Sequence, residues 1–279
     1  MKGCGKNYAA VLKGERDIDI LYLNDPALYP HQVRVAVQTS AICGTQIGEW
    51  NMSRGPDPYL PHCFGHEAVG EVLEVGDEVN GLSVGDRVIV SWMKASADCH
   101  APPKFKDESG AAVNFGQCCT FVTRGVFPGN RVFKIDESID TDSAALLGCA
   151  LLTAYAALKY VTSASERDKG EIAIVGAGGI GLSVAALCQA FGWSAVCVDT
   201  PEVTTYLETQ DLGFQFVSTV LARAQRVGKH PIAIVCTGAH SAFELAEKLL
   251  PQNGGKMLVI GNPPSGTKVS LEIKPLLYG

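Results

Sequence analysis

The sequence lacks the long apolar runs and the basic clusters that are typical of membrane and nucleic-acid-binding proteins. No apolar run approaches the roughly 18 residues that a membrane-spanning helix needs, and residues 1–6 lack the apolar core of a secretion signal. The net charge is −6, and no basic cluster accompanies it. We therefore expect a cytoplasmic protein with neither nucleic acid nor a membrane as a partner.

The cysteines also lack the spacing of a disulfide scaffold, because all ten are scattered along 279 residues. In a reducing compartment such residues are core side chains, reactive thiols or metal ligands. A hydrophobic content of 47% with 30 Gly and 14 Pro is typical of a globular α/β protein. We assign four cysteines to packing: Cys63, Cys188, Cys197 and Cys236. We assign three histidines to surface or loop positions: His31, His230 and His240.

The first half of the sequence is rich in segments typical of β-strands. Val33–Val37 alternates, Ala68–Val75 is a strand candidate, and a turn at Gly85-Asp86 leads into Val88–Val90. These segments predict an antiparallel, barrel-like domain, which we place at residues 1–150. A chain of this length has room for two domains of about 100–200 residues.

The second half, residues 151–279, alternates between strand-like and helix-like segments after a long helix predicted from Ser143 to about Val161. Such alternation predicts parallel strands joined by crossover helices, which form a doubly wound sheet. The predicted strands are Glu171–Val175, Ala195–Asp199, Phe214–Val217, Ile232–Cys236 and Lys256–Ile260, and the predicted helices include Leu182–Phe191 and Ser241–Leu250.

A glycine-rich turn follows the first of these strands. Glycines there allow a sharp turn and close backbone approach, and the positive end of the next helix faces a pyrophosphate. The preceding strand, the following helix and an acid about 20 residues later are all present. The alternative is a turn that merely joins a strand to a helix. The motif favours a redox enzyme whose cofactor contacts Gly176, Gly178, Gly179, Ile180 and Gly181.

The acid is Asp199, at the end of the second predicted strand. Its carboxylate would bond the ribose hydroxyls and repel a 2′-phosphate, and residues 200–205 contain no Arg or Lys. NAD is therefore favoured over NADP. Gly261, directly after the strand predicted at Lys256–Ile260, completes the predicted cofactor-binding residues.

Five segments, in this order and spacing, resemble the zinc-dependent medium-chain dehydrogenase/reductase family of alcohol and polyol dehydrogenases. The resemblance covers nearly the whole chain. It implies an α/β protein in which a GroES-like, β-rich catalytic domain is joined to a Rossmann domain. The segments are Ala41–Thr45, Gly65–Gly70, Val84–Val88, Gly148–Thr153 and the glycine-rich turn.

This resemblance implies one catalytic zinc held by Cys43, His66 and Cys149, with Glu67 as an exchangeable ligand or a carboxylate beside the metal. Two thiolates and one imidazole, with an open fourth position, are a known ligand set for alcohol oxidation. Zinc in such a site acts as a Lewis acid on the substrate oxygen.

Two threonines also match residues of the family. Thr45 matches the hydroxyl that takes the alcohol proton and passes it toward solvent, and Thr153 matches a residue that packs against the nicotinamide ring. Next to Thr45, the family's usual acid is replaced by Gln46, and we expect reduced zinc affinity or rate. Position 48 is Gly, so a proton relay that ends in a nearby His is absent.

The four closely spaced cysteines of a structural zinc site are missing. The corresponding stretch, Trp92–Gln117, contains a single cysteine, Cys99. We therefore predict one catalytic zinc and no structural zinc. The alternative is a loose site formed by Cys99, His100, Cys118 and Cys119.

The sequence ends shortly after the fifth predicted strand, whereas the family's Rossmann half continues to a sixth. We expect that part of the domain to be missing. An uncovered edge exposes backbone and apolar surface. Either another chain, such as a second copy in a homo-oligomer, covers the edge, or the protein is a shortened form with weak turnover.

We arrive at three functional hypotheses. The first is a zinc- and NAD-dependent dehydrogenase that acts on a secondary alcohol, a polyol or a sugar-derived hydroxyl. The second is a truncated, weakly active or non-catalytic member that binds NAD or zinc. The third is a zinc-free quinone or enoyl reductase, which the complete set of zinc ligands disfavours.

Overall fold

The computed structural model describes residues 5–96, 102–162, 170–225, 229–251, 254–264 and 266–269. The chain divides into two compact units, Met1–Cys149 and Ala150–Gly279. Each unit has a hydrophobic core of its own.

The first unit is built from antiparallel strands. A five-stranded sheet has the order β10-β6-β5-β3-β9, a three-stranded sheet the order β2-β1-β4, and β7 pairs with β8. The prediction of an antiparallel, β-rich domain is confirmed. The strands are β1 (Tyr8–Gly14), β2 (Asp17–Tyr22), β3 (Gln32–Ser40), β4 (His62–Cys63), β5 (Glu67–Val75), β6 (Arg87–Ser91), β7 (Phe105–Lys106), β8 (Ala112–Val113), β9 (Arg124–Pro128) and β10 (Val132–Lys134).

The single long helix predicted from Ser143 to Val161 is wrong. Helix α1 is Gly44–Trp50. The predicted long helix is instead divided into α2 (Thr141–Ala145), a 3₁₀ turn (Leu146–Gly148) and α3 (Ala150–Val161). The helix breaks because the chain packs directly against β6 at Gly148, where an added Cβ would lie 2.4 Å from the carbonyl oxygen of Val90. Apolar periodicity does not reveal such a backbone contact.

The second unit is a parallel five-stranded sheet of order β13-β12-β11-β14-β15. Because the strand order reverses between β11 and β14, the carboxyl ends of these strands form the switch point where ligands of such sheets bind. The predicted doubly wound sheet is confirmed. The elements are β11 (Ile172–Val175), α4 (Gly179–Ala190), β12 (Ala195–Asp199), α5 (Pro201–Glu208), β13 (Gln215–Ser218), α6 (Thr219–Gln225), β14 (Ile232–Val235), α7 (His240–Leu249) and β15 (Lys256–Val259).

The two central strands of this sheet have the same sequence, Ile-Ala-Ile-Val, and pair in register. All eight residues are buried, as expected for strands that are covered by helices on both faces. Helix α5 was not predicted, although Pro201 at its first position is a common start signal.

Burial agrees with the assignment of Cys63, Cys188 and Cys197 to packing, and Cys236 packs half-buried against a core. His230 lies in a loop, which agrees with its assignment to the surface or a loop, but it is not on the surface. Its side chain is buried just before β14, and Nδ1 bonds the carbonyl oxygen of Glu171 at 3.0 Å.

Within the described ranges, no single helix is long and apolar enough to cross a membrane. The segments Thr141–Gly148 and Ala150–Val161 reach that length and apolarity only as a pair with a bend between them.

Candidate functional site

Three residues that are far apart in the sequence come together in the first unit. The donor atoms of Cys43, His66 and Cys149 all lie within 4.8 Å of one another. Each residue is placed at the edge of an element: Cys43 directly before α1, His66 directly before β5, and Cys149 directly after the 3₁₀ turn. The cluster is thus held by three separate segments of the unit.

Two glycines allow these segments to approach one another. Gly65 has φ +90°, and an added Cβ would lie 2.4 Å from Thr120 Oγ1. At Gly148 an added Cβ would strike both Val90 and the side chain of Glu67. Both positions therefore require glycine, and each directly precedes a residue of the cluster.

The two thiols of the cluster share one proton. Hydrogen bonding to Cys149, followed by that to His66 and to the backbone N–H of Thr45, lowers the pKa of Cys43 to about 3. The same bond to Cys43, together with burial and the nearby Glu67 carboxylate, raises the pKa of Cys149 far above its usual range. The lowered pKa favours the thiolate of Cys43, which is the form that binds metals.

The imidazole of His66 is held by one nitrogen. Its Nδ1 lies 2.7 Å from the side-chain nitrogen of Gln46, while Nε2 is buried without a hydrogen-bond partner of normal geometry among the described residues. The other end of the Gln46 amide, Oε1, accepts a hydrogen bond from the backbone N–H of Cys43 at 2.9 Å. Nε2 is thus the ring nitrogen that Gln46 does not contact, and a metal bound to His66 would have to use it.

The arrangement fits a catalytic zinc ion. A tetrahedral zinc with ordinary bond lengths holds sulfur and nitrogen donors about 3.5–3.8 Å apart, so the cluster needs to contract by at most about 1 Å. Two sulfurs and one imidazole leave a fourth position for substrate. The orphaned Nε2 is explained by the same ion, because a buried polar atom without a partner is costly.

Glu67 is buried but does not belong to the three-residue cluster. The structure therefore does not place it as a direct ligand, although Glu67 directly follows His66 in the chain. Its carboxylate contributes to the raised pKa of Cys149. Thr45 is half-buried in α1, with Oγ1 at 3.9 Å from the sulfur of Cys43.

The alternative second metal site falls partly outside the described residues, because Cys99 and His100 are not among them. The thiols of Cys118 and Cys119 donate to the carbonyl oxygens of His66 and Cys63. Burial raises the pKa of Cys118 to about 12, so this thiol is protonated at neutral pH.

The glycine-rich turn of the second unit has the geometry of a phosphate-binding loop. Gly176 has φ +103°, and an added Cβ at Gly181 would lie 1.9 Å from the carbonyl oxygen of Gly176. Gly178 and Gly179, at the start of α4, are exposed and have open space where a Cβ would stand. The first pair serves the fold of the turn, and the second pair leaves room for a ligand at the helix N-terminus.

Asp199 ends β12 beside this turn. Its carboxylate accepts hydrogen bonds from the backbone N–H of Ala177 at 2.6 Å and of Thr200 at 2.7 Å. Sequence reasoning predicted only a contact with the cofactor. The acid also fixes the glycine-rich turn, a role that the spacing alone could not reveal.

Comparison with known proteins shows that this chain is similar to alcohol dehydrogenases. Residues 29–137 match the family described as the alcohol dehydrogenase GroES-like domain. An alcohol dehydrogenase from Geobacillus stearothermophilus is 29% identical over 276 residues, covering 91% of this chain and 77% of the relative. The family match and this relative support the medium-chain dehydrogenase family.

Two further proteins are similar to this chain. An L-threonine 3-dehydrogenase from Photorhabdus laumondii is 26% identical, covering 91% of this chain and 76% of the relative. A solved structure, an alcohol dehydrogenase zinc-binding domain protein from Burkholderia ambifaria, has a TM-score of 0.83 at 22% identity and covers 98% of this chain and 81% of its own. That likeness shows the shared fold, a GroES-like unit and a Rossmann unit. The named relatives support an oxidoreductase.

Two further predicted cofactor residues lie in the second unit. The Oγ1 atom of Thr153, in α3, is buried and has no hydrogen-bond partner among the described residues. Gly261 follows β15, and an added Cβ would lie 2.1 Å from the carbonyl oxygen of Thr237. Gly261 is thus required for close packing of the two segments that follow β14 and β15.

Proposed function

We propose that this chain is a zinc-dependent oxidoreductase that transfers a hydride between NAD(H) and a secondary alcohol, a polyol or a sugar-derived hydroxyl or carbonyl. The observation that carries the proposal is the convergence of Cys43, His66 and Cys149, whose donor atoms lie within 4.8 Å of one another. The membership of alcohol and threonine dehydrogenases among the relatives supports the same class of reaction.

Residues of the first unit would bind the metal ion, transfer the substrate proton and set the charge of the site. Cys43, His66 and Cys149 would hold the ion, which when bound supplies Lewis acidity to the substrate oxygen. The Thr45 hydroxyl, next to the Cys43 sulfur, would relay the proton that the substrate hydroxyl loses, accepting it while passing its own proton toward solvent. Glu67 would add negative charge beside Cys149 and so adjust the charge of the site.

We propose NAD as the cofactor, held by Gly176, Gly178, Gly179, Ile180, Gly181, Asp199, Thr153 and Gly261. The open space at Gly178 and Gly179 supports the pyrophosphate position. The negative charge of Asp199 at the end of β12 disfavours a second phosphate on the ribose.

Replacing Asp199 with asparagine tests the cofactor proposal. The amide keeps one acceptor oxygen for the Ala177 N–H but removes the charge, so we expect NAD to bind about tenfold more weakly and the preference for NAD over NADP to fall. Titration of both dinucleotides measures these changes. Asp211→Asn, in an exposed turn, removes the same charge elsewhere in the unit and should change neither affinity. An unchanged ratio of the two affinities in Asp199→Asn would contradict the assignment.

The activity is tested by incubating the zinc-loaded protein with NAD and a panel of alcohols, polyols, sugars and hydroxy amino acids while NADH absorbance is followed. We expect about one zinc per chain and turnover of at least one secondary hydroxyl, which chelation abolishes. Absence of NADH formation with every compound of the panel, despite tight NAD binding, would favour the second candidate function, a non-catalytic protein that binds NAD and zinc. The amide of Gln46 next to His66 is the observation that keeps this candidate open.

A further inference from the structure

Gln46 lies at the centre of the candidate metal site. Its side chain is buried, with Oε1 at 2.9 Å from the backbone nitrogen of Cys43 and Nε2 at 2.7 Å from Nδ1 of His66. One amide thus contacts two of the three proposed ligands. Its hydrogen-bonding pattern therefore limits what those ligands can do.

The two contacts make different demands on the amide. The Cys43 N–H can only donate, so it needs the amide oxygen. The amide NH₂ then points at His66 and donates to Nδ1, which must be unprotonated. A neutral imidazole carries a single N–H, so the proton of His66 is on Nε2. That is the nitrogen whose lone pair a metal needs.

Metal binding reverses the demand at the histidine. With a metal on Nε2, the proton of His66 moves to Nδ1, which becomes a donor. The Gln46 NH₂ then faces another donor. A flipped Gln46 amide would place its oxygen against Nδ1 of His66 and accept that hydrogen bond. Its NH₂ group would then face the backbone N–H of Cys43, which also donates, so either orientation of the amide loses one hydrogen bond. A carboxylate would satisfy both donors, because it has two acceptor oxygens.

We propose that Gln46 is a positioning residue that holds His66 in the tautomer protonated on Nε2 and thereby weakens zinc binding. The inference rests on the proposed function, because it assumes that His66 binds zinc. It adds that this chain's metal site is stable without metal and binds zinc at the cost of one buried hydrogen bond. Partners of metal-bound histidines change affinity by about 10–100-fold, which sets the expected size of the effect.

Two substitutions test the proposal in the full chain. Gln46→Glu keeps the side-chain length and supplies two acceptors, and we expect its zinc dissociation constant, measured by competition with a chromogenic chelator, to fall about tenfold or more. Gln46→Met removes the amide without adding charge, and we expect it to bind zinc no more weakly than the natural chain. Gln38→Glu, exposed in β3, adds the same charge elsewhere in the unit and should leave zinc affinity unchanged.

The tautomer itself is read by long-range ¹⁵N–¹H NMR of histidine-labelled, metal-free protein, with His66→Gln to assign the ring. We expect a proton on Nε2 in the natural chain and on Nδ1 in Gln46→Glu. A proton on Nδ1 in the natural chain, or zinc binding that is tenfold weaker in Gln46→Met, would overturn the inference. Absence of zinc from every variant would instead refute the metal site, while the tautomer of the metal-free protein would still decide the role of Gln46.

Discussion

Replacing Cys43 with serine is expected to remove zinc from the protein and to lower kcat/KM by on the order of a thousandfold, because several kcal/mol of charge stabilisation are lost. Serine does not ionise at neutral pH, so the proposed site loses the thiolate ligand that the lowered pKa of Cys43 favours. The serine hydroxyl can still hydrogen-bond to Cys149, so the variant removes the charged ligand and keeps a polar group of similar size. Metal analysis after gel filtration and steady-state kinetics measure the two effects.

A matched control for this experiment is Cys236→Ser. Cys236 is a half-buried thiol in the second unit, and it lies outside the metal cluster. This variant should retain zinc and most of the activity. Full zinc occupancy in Cys43→Ser would refute the assignment of Cys43 as a ligand.

Alanine at Gly178 and alanine at Gly181 are both expected to weaken cofactor binding, but only the second is expected to lower stability markedly. At Gly178 the methyl group meets no protein atom within 4 Å, so the free energy of unfolding should change by less than about 1 kcal/mol. The same methyl stands in the open space proposed for the pyrophosphate, so NAD affinity should fall at least about tenfold. Denaturant unfolding and NAD titration on the same sample separate the two quantities.

At Gly181 the methyl group would lie 1.9 Å from a backbone oxygen of Gly176, and no side-chain rotation relieves this overlap. We expect Gly181→Ala to lose about 1–3 kcal/mol of stability or more, together with NAD binding. NAD affinity that is unchanged in Gly178→Ala would show that the cofactor does not use this turn.

The periodic parts of the fold could be predicted from the sequence. The Ile-Ala-Ile-Val strands β11 and β14 are continuous apolar runs because helices cover both of their faces. The predicted strand bounds differ from the observed ones by a residue or so, as at β14 (Ile232–Val235). The break before α3 could not be predicted, because it depends on the packing of Gly148 against a strand that is distant in sequence.

The candidate site was predicted from local motifs, and its geometry was not. Sequence reasoning proposed Cys43, His66 and Cys149, but spacing alone does not bring such distant residues together. The replacement of an acid by Gln46 was visible in the sequence, whereas its contact with both Cys43 and His66 depends on tertiary structure. The hydrogen bond between Asp199 and the backbone N–H of Ala177 also depends on tertiary structure, because it joins the carboxyl ends of the neighbouring strands β11 and β12.

All three proposed ligands belong to the β-rich unit, and they lie on segments that are well separated along the chain. An ion bound by them would act as a cross-link that ties the start of α1 and the start of β5 to the last residue of that unit. Because a metal bound to the folded state raises its stability, zinc should make the β-rich unit resist unfolding. None of the three proposed ligands belongs to the parallel-sheet unit. The same zinc is therefore not expected to stabilise that unit directly against unfolding.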